Sequence, residues 1–312
     1  MKSRLGKLLP PVASFAIIAI AAVVLWRKLA EVDPSGVAAS FAAIPGSALV
    51  LAGLFTAGAL LAMAIYEVQM LRYLRPTAGW QRPFLTALIA YPIGHAVGLG
   101  AFSGGAIRYR IYSAAGFGAA DIGKLILLSV MPFASGLGLL AGVSMLAATD
   151  AVAAALHLQP QIATMIGAGL LATHVIYVGL VIARVRPLGS WVPAFELPSS
   201  KLTTIQYLLG ITEVLCAISV MYVLLPPAAN IGFPAFVAVY VTAITAGTLS
   251  GVPAGLGVFE SILLVTLTGV PTEALLGAVL AYRLVYELLP FVSGLLLLLA
   301  YEAWAPRRQQ PL

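Results

Sequence analysis

A chain of 312 residues that is 61% hydrophobic and only 9% charged cannot be an ordinary soluble fold, where about a quarter of residues are charged. Its mean hydropathy of +1.03 makes lipid the solvent for most of the chain. The net charge of +6 does not point to nucleic acid, because the basic residues cluster between apolar stretches, and a single cysteine, Cys216, excludes a disulfide framework and a Cys-ligated zinc site.

Crossing the hydrocarbon takes about 20 apolar residues in a helix. In chain order such runs lie near 10–27, 47–71, 122–148, 161–183, 203–225 and 273–304, which predicts an all-α polytopic membrane protein with about six full spans. The first run follows Lys2, Arg4 and Lys7 and ends in Trp26-Arg27-Lys28 without a small-residue cleavage pattern, so it reads as a retained span. The positive-inside rule then sets the topology. Basic residues at the N-terminus, at Arg72, Arg75 and Arg82, at Arg184, Arg186 and Lys201, and at Arg307 and Arg308 place both termini in the cytoplasm. The connections over 149–160 and 226–233 carry no Lys or Arg and face outward.

Two further apolar stretches are broken by glycine, proline or charge. Residues 83–120 start and finish on the inner side, with too few strongly apolar residues for two crossings. A re-entrant hairpin is expected, with its tip over 98–105, and a second is expected within 234–270, with its tip over 250–257. Displacing the first half by 151 residues sets 10–27 on 161–178, 47–71 on 198–222 and 122–148 on 273–299, with Gly100 on Gly251 and Gly104 on Gly255. The chain therefore reads as one integral membrane domain, 1–312, built from halves 1–150 and 151–312 of opposite topology. Inverted repeats with broken helices are a common transporter plan.

Non-helical backbone at membrane depth survives only where it is buried in protein or lines a polar cavity. Gly104, Gly105 and Gly255 permit close approach and exposed amides that suit an anion, although small residues also serve simple helix packing. After the first tip come Arg108 and Arg110, forks suited to phosphate oxygens or anchors with snorkelling stems, and Arg108 lies nearer the glycines. After the second comes Glu260, a costly carboxylate that requires a partner or a task. Arg283 lies about ten residues into the last apolar run. Glu287 follows one turn later, so the two can neutralise each other, and Tyr282 and Tyr286 stand alongside. Glu213 is also deep in its span, with no acid or base within a turn, and must find a partner on another helix, be protonated or face water. Glu67, close to Arg72 near a span end, reads as interfacial. His95, His157 and His174 share no metal-ligand spacing, so no metal or cofactor is expected. Residues 118–124 imitate a phosphate loop, but Leu125 replaces the magnesium-binding hydroxyl and no strand precedes them. With no nucleotide, metal or transferase motif, an enzyme is not expected.

The run from Gly104 to Gly116, the run Val252-Pro253-Ala254-Gly255-Leu256-Gly257-Val258-Phe259-Glu260, and Arg283 with Tyr286 together resemble the signatures of a known family. This is the membrane domain of the lysylphosphatidylglycerol synthase/flippase proteins, the multiple peptide resistance factors. Ala254 stands where glycine is more usual. The resemblance implies lipid translocation in a bacterial or archaeal plasma membrane. It also implies a stand-alone member, since no soluble aminoacyl-transferase domain is seen before Leu312. The expected substrate is a phospholipid, aminoacylated phosphatidylglycerol among the candidates, bound by Arg108, Glu213, Glu260, Arg283 and Glu287 between the two tips. Expected partners are that lipid, a separate aminoacyl-transferase or other lipid-modifying enzyme, and a second copy in a homo-oligomer, but no nucleic acid. The alternative is a non-transporting subunit that anchors or regulates a lipid-modifying enzyme.

Overall fold

The structure, a computed structural model, describes residues 34–97, 100–184 and 197–304. The span expected over 10–27 lies outside them. Among the described residues every regular element is helical. A short α1 (Pro34–Ala42) leads into α2 (Gly46–Leu74), which stops where Pro76 pushes Arg75 into extended backbone. Helices α3 (Gln81–Val97) and α4 (Gly100–Ser113) form a hairpin, followed by α5 (Ala119–Ala147) and the short α6 (Thr149–Ala155). Pro160 opens α7 (Pro160–Ile182), its fixed φ suiting the first turn. The Ser199 side chain caps α8 (Ser200–Leu224) by accepting the Leu202 N–H at 3.3 Å. Helix α9 (Phe233–Ser250) ends at Gly251 with φ +73°. A tight turn over Pro253–Gly255 leads to α10 (Val258–Thr266), then α11 (Thr272–Tyr282), a π-helical segment over Arg283–Leu288, and α12 (Leu289–Trp304).

Six of these stretches are long and apolar enough to cross a bilayer: Gly46–Leu74, Ala119–Ala147, Pro160–Ile182, Ser200–Leu224, Phe233–Ser250 and Thr272–Ala303. The chain is an all-α polytopic membrane protein. Five of the six coincide with expected spans; Phe233–Ser250 does not. Its 18 residues reach about 27 Å, nearly the hydrocarbon thickness, so the first limb of the second broken stretch is itself span-length. The second limb, α10, has nine residues and reaches only about 14 Å.

Two buried clusters make up most of the core, and each draws on both parts of the sequence: Leu202 of α8 joins the first, and Ala52 of α2 and Ala141 of α5 join the second. Tyr66, Met70, Ile89, Ile111, Tyr112 and Leu125 anchor the first, built mainly by α2 to α5. Ile218, Met221, Phe236, Tyr240, Phe259 and Tyr282 anchor the second, built mainly by α8 to α11. Between them, α2 and α8 make the most extensive helix–helix contact in the molecule. Helix α5 packs on the other side of α8 with bare backbone at the crossing: a Cβ on Gly210 would collide with the carbonyl of Pro132, and one on Gly136 with the carbonyl of Gly210. Small residues allow such close approach where lipid supplies no hydrophobic drive between helices. Met165 and Val175 on α7 and Leu296 on α12 turn outward, as lipid-facing side chains do. One end of the bundle carries the exposed ion pairs Arg75–Asp121 (3.2 Å) and Arg110–Glu302 (2.7 Å).

Candidate functional site

Two arginine–glutamate centres lie inside the apolar bundle. The first joins α2, α3 and α4. Gly104 and Gly105 are helical, within α4 rather than in the turn expected over 98–105, and residues 98–99 of that turn fall outside the described chain. The glycines serve packing: a Cβ on Gly104 would stand 2.9 Å from the Ala90 carbonyl oxygen and 3.2 Å from Arg108 Nη1, and one on Gly105 would stand 3.1 Å from Ile126 Cδ1. One turn after Gly104, Arg108 reaches back to Glu67 on α2. Its Nε and Nη2 donate to Oε1 and Oε2, both at 2.9 Å. The hydroxyls of Tyr91 and Tyr112 donate to the same carboxylate at 3.0 Å each, and the guanidinium lies 4.4 Å over the Tyr91 ring.

This geometry revises two sequence expectations. Glu67 is not interfacial; it is fully buried. A buried carboxylate is tolerable only when paired and hydrogen-bonded, and Glu67 has four donors. Arg108, read as either a fork for phosphate or a snorkelling anchor, has its fork occupied by Glu67. Arg110, at the exposed end, is held by Glu302.

The second centre gathers around the broken stretch after α9. Gly251, Ala254, Gly255 and Gly257 all have positive φ (73°, 52°, 62° and 80°). Glycine adopts this conformation freely, whereas Ala254 carries a Cβ into it at a cost. Gly257 ends the turn, and Glu260, in the first turn of α10, accepts its N–H at 2.8 Å. Glu260 Oε1 also accepts Nε and Nη2 of Arg283 at 2.9 and 2.7 Å. Arg283 Nη1 donates to the Ala254 carbonyl at 2.6 Å and to Glu287 at 2.5 Å. The i, i+4 pair expected from sequence is therefore present, with Glu260 as a second carboxylate on the same cation. Arg283 and Glu287 both belong to the π segment, a widened helical turn of a kind frequent at functional sites.

Aromatic rings wall this centre. Tyr282 stacks on Phe259 (5.5 Å) and on Tyr286 (5.3 Å), and the Tyr240 and Tyr282 hydroxyls are hydrogen-bonded at 2.7 Å. The Pro253–Gly255 turn packs against α3, and the π segment packs against α2 and α3, so the second centre meets the first half of the chain. A cleft at that meeting, roomy enough for about one water, is lined by Thr56, Met63, His95, Tyr286, Glu287 and Pro290 among others.

Glu213 belongs to neither centre. It sits midway along α8, on the helix that packs against α2, and is 1% exposed. Tyr66 is its hydrogen-bonding neighbour, while its Oε2 has no partner among the described residues. The structure thus brings Glu260, Arg283, Glu287, Tyr286 and Gly255 together, keeps Arg108 with Gly104 and Gly105 apart from them, and leaves Glu213 between. Sequence reasoning overlooked Glu67 as a partner, together with Tyr91, Tyr112 and Tyr240. Their one legible signal was a polar atom placed deep in an otherwise apolar run.

No protein-family model matches the chain. It is 32% identical over 250 residues to the uncharacterized protein slr0712 of Synechocystis, a match covering 78% of this chain and 76% of that protein. The inner membrane protein YbhN of Escherichia coli is 27% identical over 204 residues, 64% of each chain. The phosphatidylglycerol lysyltransferase of Staphylococcus aureus is 24% identical over 305 residues, 95% of this chain but 34% of that protein. The chain therefore spans about a third of the lysyltransferase and just under two thirds of YbhN.

Proposed function

Because the chain belongs to the family that includes the Synechocystis protein and is similar to an inner membrane protein and a phosphatidylglycerol lysyltransferase, we propose that it translocates a phospholipid across the bacterial inner membrane. The observation that carries this reading is the Arg283 centre. A cation with two carboxylates, a turn of left-handed backbone and a wall of tyrosines sit together inside apolar helices, beside a cleft between the two halves of the chain. Buried charge of this kind is expensive and marks substrate pathways in membrane proteins. Arg283 is partly exposed and can exchange a glutamate for a lipid phosphate, which its fork fits. The displaced carboxylates are then available to a cationic headgroup such as a lysyl amine. Both termini lie in the cytoplasm in this reading, and the halves 1–150 and 151–312 rock as inverted repeats about the site.

The test is lipid movement by the purified chain in vesicles carrying fluorescent phosphatidylglycerol, its lysylated form or a zwitterionic lipid. One class is expected to move, and Arg283→Ala is expected to slow it roughly 10- to 100-fold, the worth of a charged hydrogen bond of about 1.5–3 kcal/mol. Movement at the wild-type rate in a folded Arg283→Ala variant would sink the site. A second reading has its own observation: the match spans only about a third of an enzyme named for acting on phosphatidylglycerol. In that reading the chain anchors or regulates a separate lipid-modifying enzyme. It predicts co-purification with such an enzyme and no lipid movement by the chain alone.

A further inference from the structure

Among the described residues, Glu213 is a carboxyl group without a counter-ion, on the α8 helix where it packs against α2. It is 1% exposed and its Oε2 is unpartnered among the described residues. The glutamates of the two centres each have an arginine: Glu67 has Arg108, while Glu260 and Glu287 share Arg283. A bare carboxylate in such a place costs several kcal/mol by order of magnitude, and the usual escape is to bind a proton.

Among the described residues of the elements packed against α8, no cation pairs with Glu213. From α2 comes Tyr66, with Glu67 already bound to Arg108. From α9 comes Tyr240, and from α11 Tyr282, whose hydroxyls bond each other, with Glu273 in the first turn of α11. Helix α7 contributes His174, bound to the Tyr207 hydroxyl at 2.7 Å, and Tyr177 beside Tyr207. Asp121 and Lys124 of α5 lie in its first two turns, far along the helix from the crossing. Tyr91 of α3, Tyr286 of the π segment and Cys216 on α8 are also within electrostatic reach, while Arg72 and Arg75 stand at the end of α2 and Lys201 in the first turn of α8.

Glu213 lies next to Tyr66 and within electrostatic reach of Tyr286. Tyr91 touches Glu67 and stands edge-on to Tyr66 at 5.4 Å. Tyr286 stacks on Tyr282 and precedes Glu287, with the cleft on its other side. We propose that Glu213 is a membrane-embedded proton-binding site, holding one proton in the state seen here and releasing it to water when the seam between α2 and α8 opens. The step is simple: the O–H bond of the carboxylic acid breaks, the carboxylate remains on the protein, and water takes the proton. This deepens the translocation reading by naming a proton as the coupling ion, and in that respect it rests on it.

Two measurements on the full-length chain test the idea and separate the two readings. In lipid nanodiscs, infrared difference spectra across a pH titration should show the C=O stretch of a protonated, dry carboxyl that disappears in Glu213→Gln and persists in Glu302→Gln. The amide is isosteric with the protonated acid, so Glu213→Gln should fold, and its thermal unfolding is checked alongside. A band that persists in Glu213→Gln, or one unchanged across the whole titration, overturns the proton site. In vesicles, lipid movement by the wild type should be accelerated by an imposed pH gradient, and in Glu213→Gln that acceleration should vanish. Gradient-sensitive movement surviving in Glu213→Gln also overturns it. A titrating Glu213 band in a chain that moves no lipid upholds the proton site and refutes the translocation reading instead.

Discussion

The two arginine centres use the same residue types to opposite ends. In the first, one guanidinium meets one carboxylate, with side chains 3% and 0% exposed, and two tyrosines complete the carboxylate's shell. In the second, one guanidinium meets two carboxylates and a backbone carbonyl, with side chains 12–17% exposed, and a cleft adjoins it. A pair that is charge-balanced, saturated and sealed can only hold helices together. A centre with an extra carboxylate, strained backbone and partial exposure is, in the proposed reading, the one able to exchange partners. Burial and saturation, rather than the presence of arginine, distinguish the two centres.

The sharpest way to break this contrast is to remove one acid from each centre. Glu67→Ala leaves Arg108 buried and unpaired and should cost about 3–5 kcal/mol, enough to deplete folded protein. Glu260→Ala leaves Arg283 with Glu287 and the Ala254 carbonyl and should cost distinctly less while slowing lipid movement. Thermal unfolding in detergent reads both; equal losses would erase the distinction. A smaller effect comes from the hydroxyls. Tyr112→Phe removes a donor from a buried charge and should cost about 1.5–3 kcal/mol, whereas Tyr240→Phe breaks a neutral hydroxyl pair worth about 0.5–1.5 kcal/mol. The order of the two melting temperatures tests it. The smallest effect should be a gain. Ala254→Gly relieves a left-handed alanine, worth about 1–2 kcal/mol, against a flexibility cost of about 0.4–1 kcal/mol in the unfolded chain. The melting temperature should rise slightly; a fall would mean that the strain is not at Ala254.

Much of the fold was legible because lipid demands long apolar runs, and five described spans stand where those runs predicted them. The Arg283–Glu287 pair was legible too, since both residues ride one helix. Glu67 was misread because its partner is 41 residues away on another helix. Arg72, near in sequence, lies about 140° around α2 from it at about 100° per residue, so the helical wheel already opposed an interfacial pairing. Glu213's isolation was visible in the sequence, but Tyr66, Tyr91, Tyr240 and Tyr286, the tyrosines within its electrostatic reach, come from four different elements and no spacing reveals them. The 18-residue α9 was hidden by its glycine and proline neighbours, which made a span-length helix read as half of a short hairpin.

The crossing of α5 and α8 has a mechanical consequence. Where Gly210 meets the Pro132 carbonyl and Gly136 meets the Gly210 carbonyl, backbone lies directly on backbone. The two helices are pinned at that point, with Val214 beside Gly136 and Gln206 of α8 donating to the Leu128 carbonyl of α5 at 3.4 Å. They cannot be pushed closer, and a single methyl group on Gly210 would act as a wedge, tilting α8 and with it Glu213 while leaving every charge in the molecule intact.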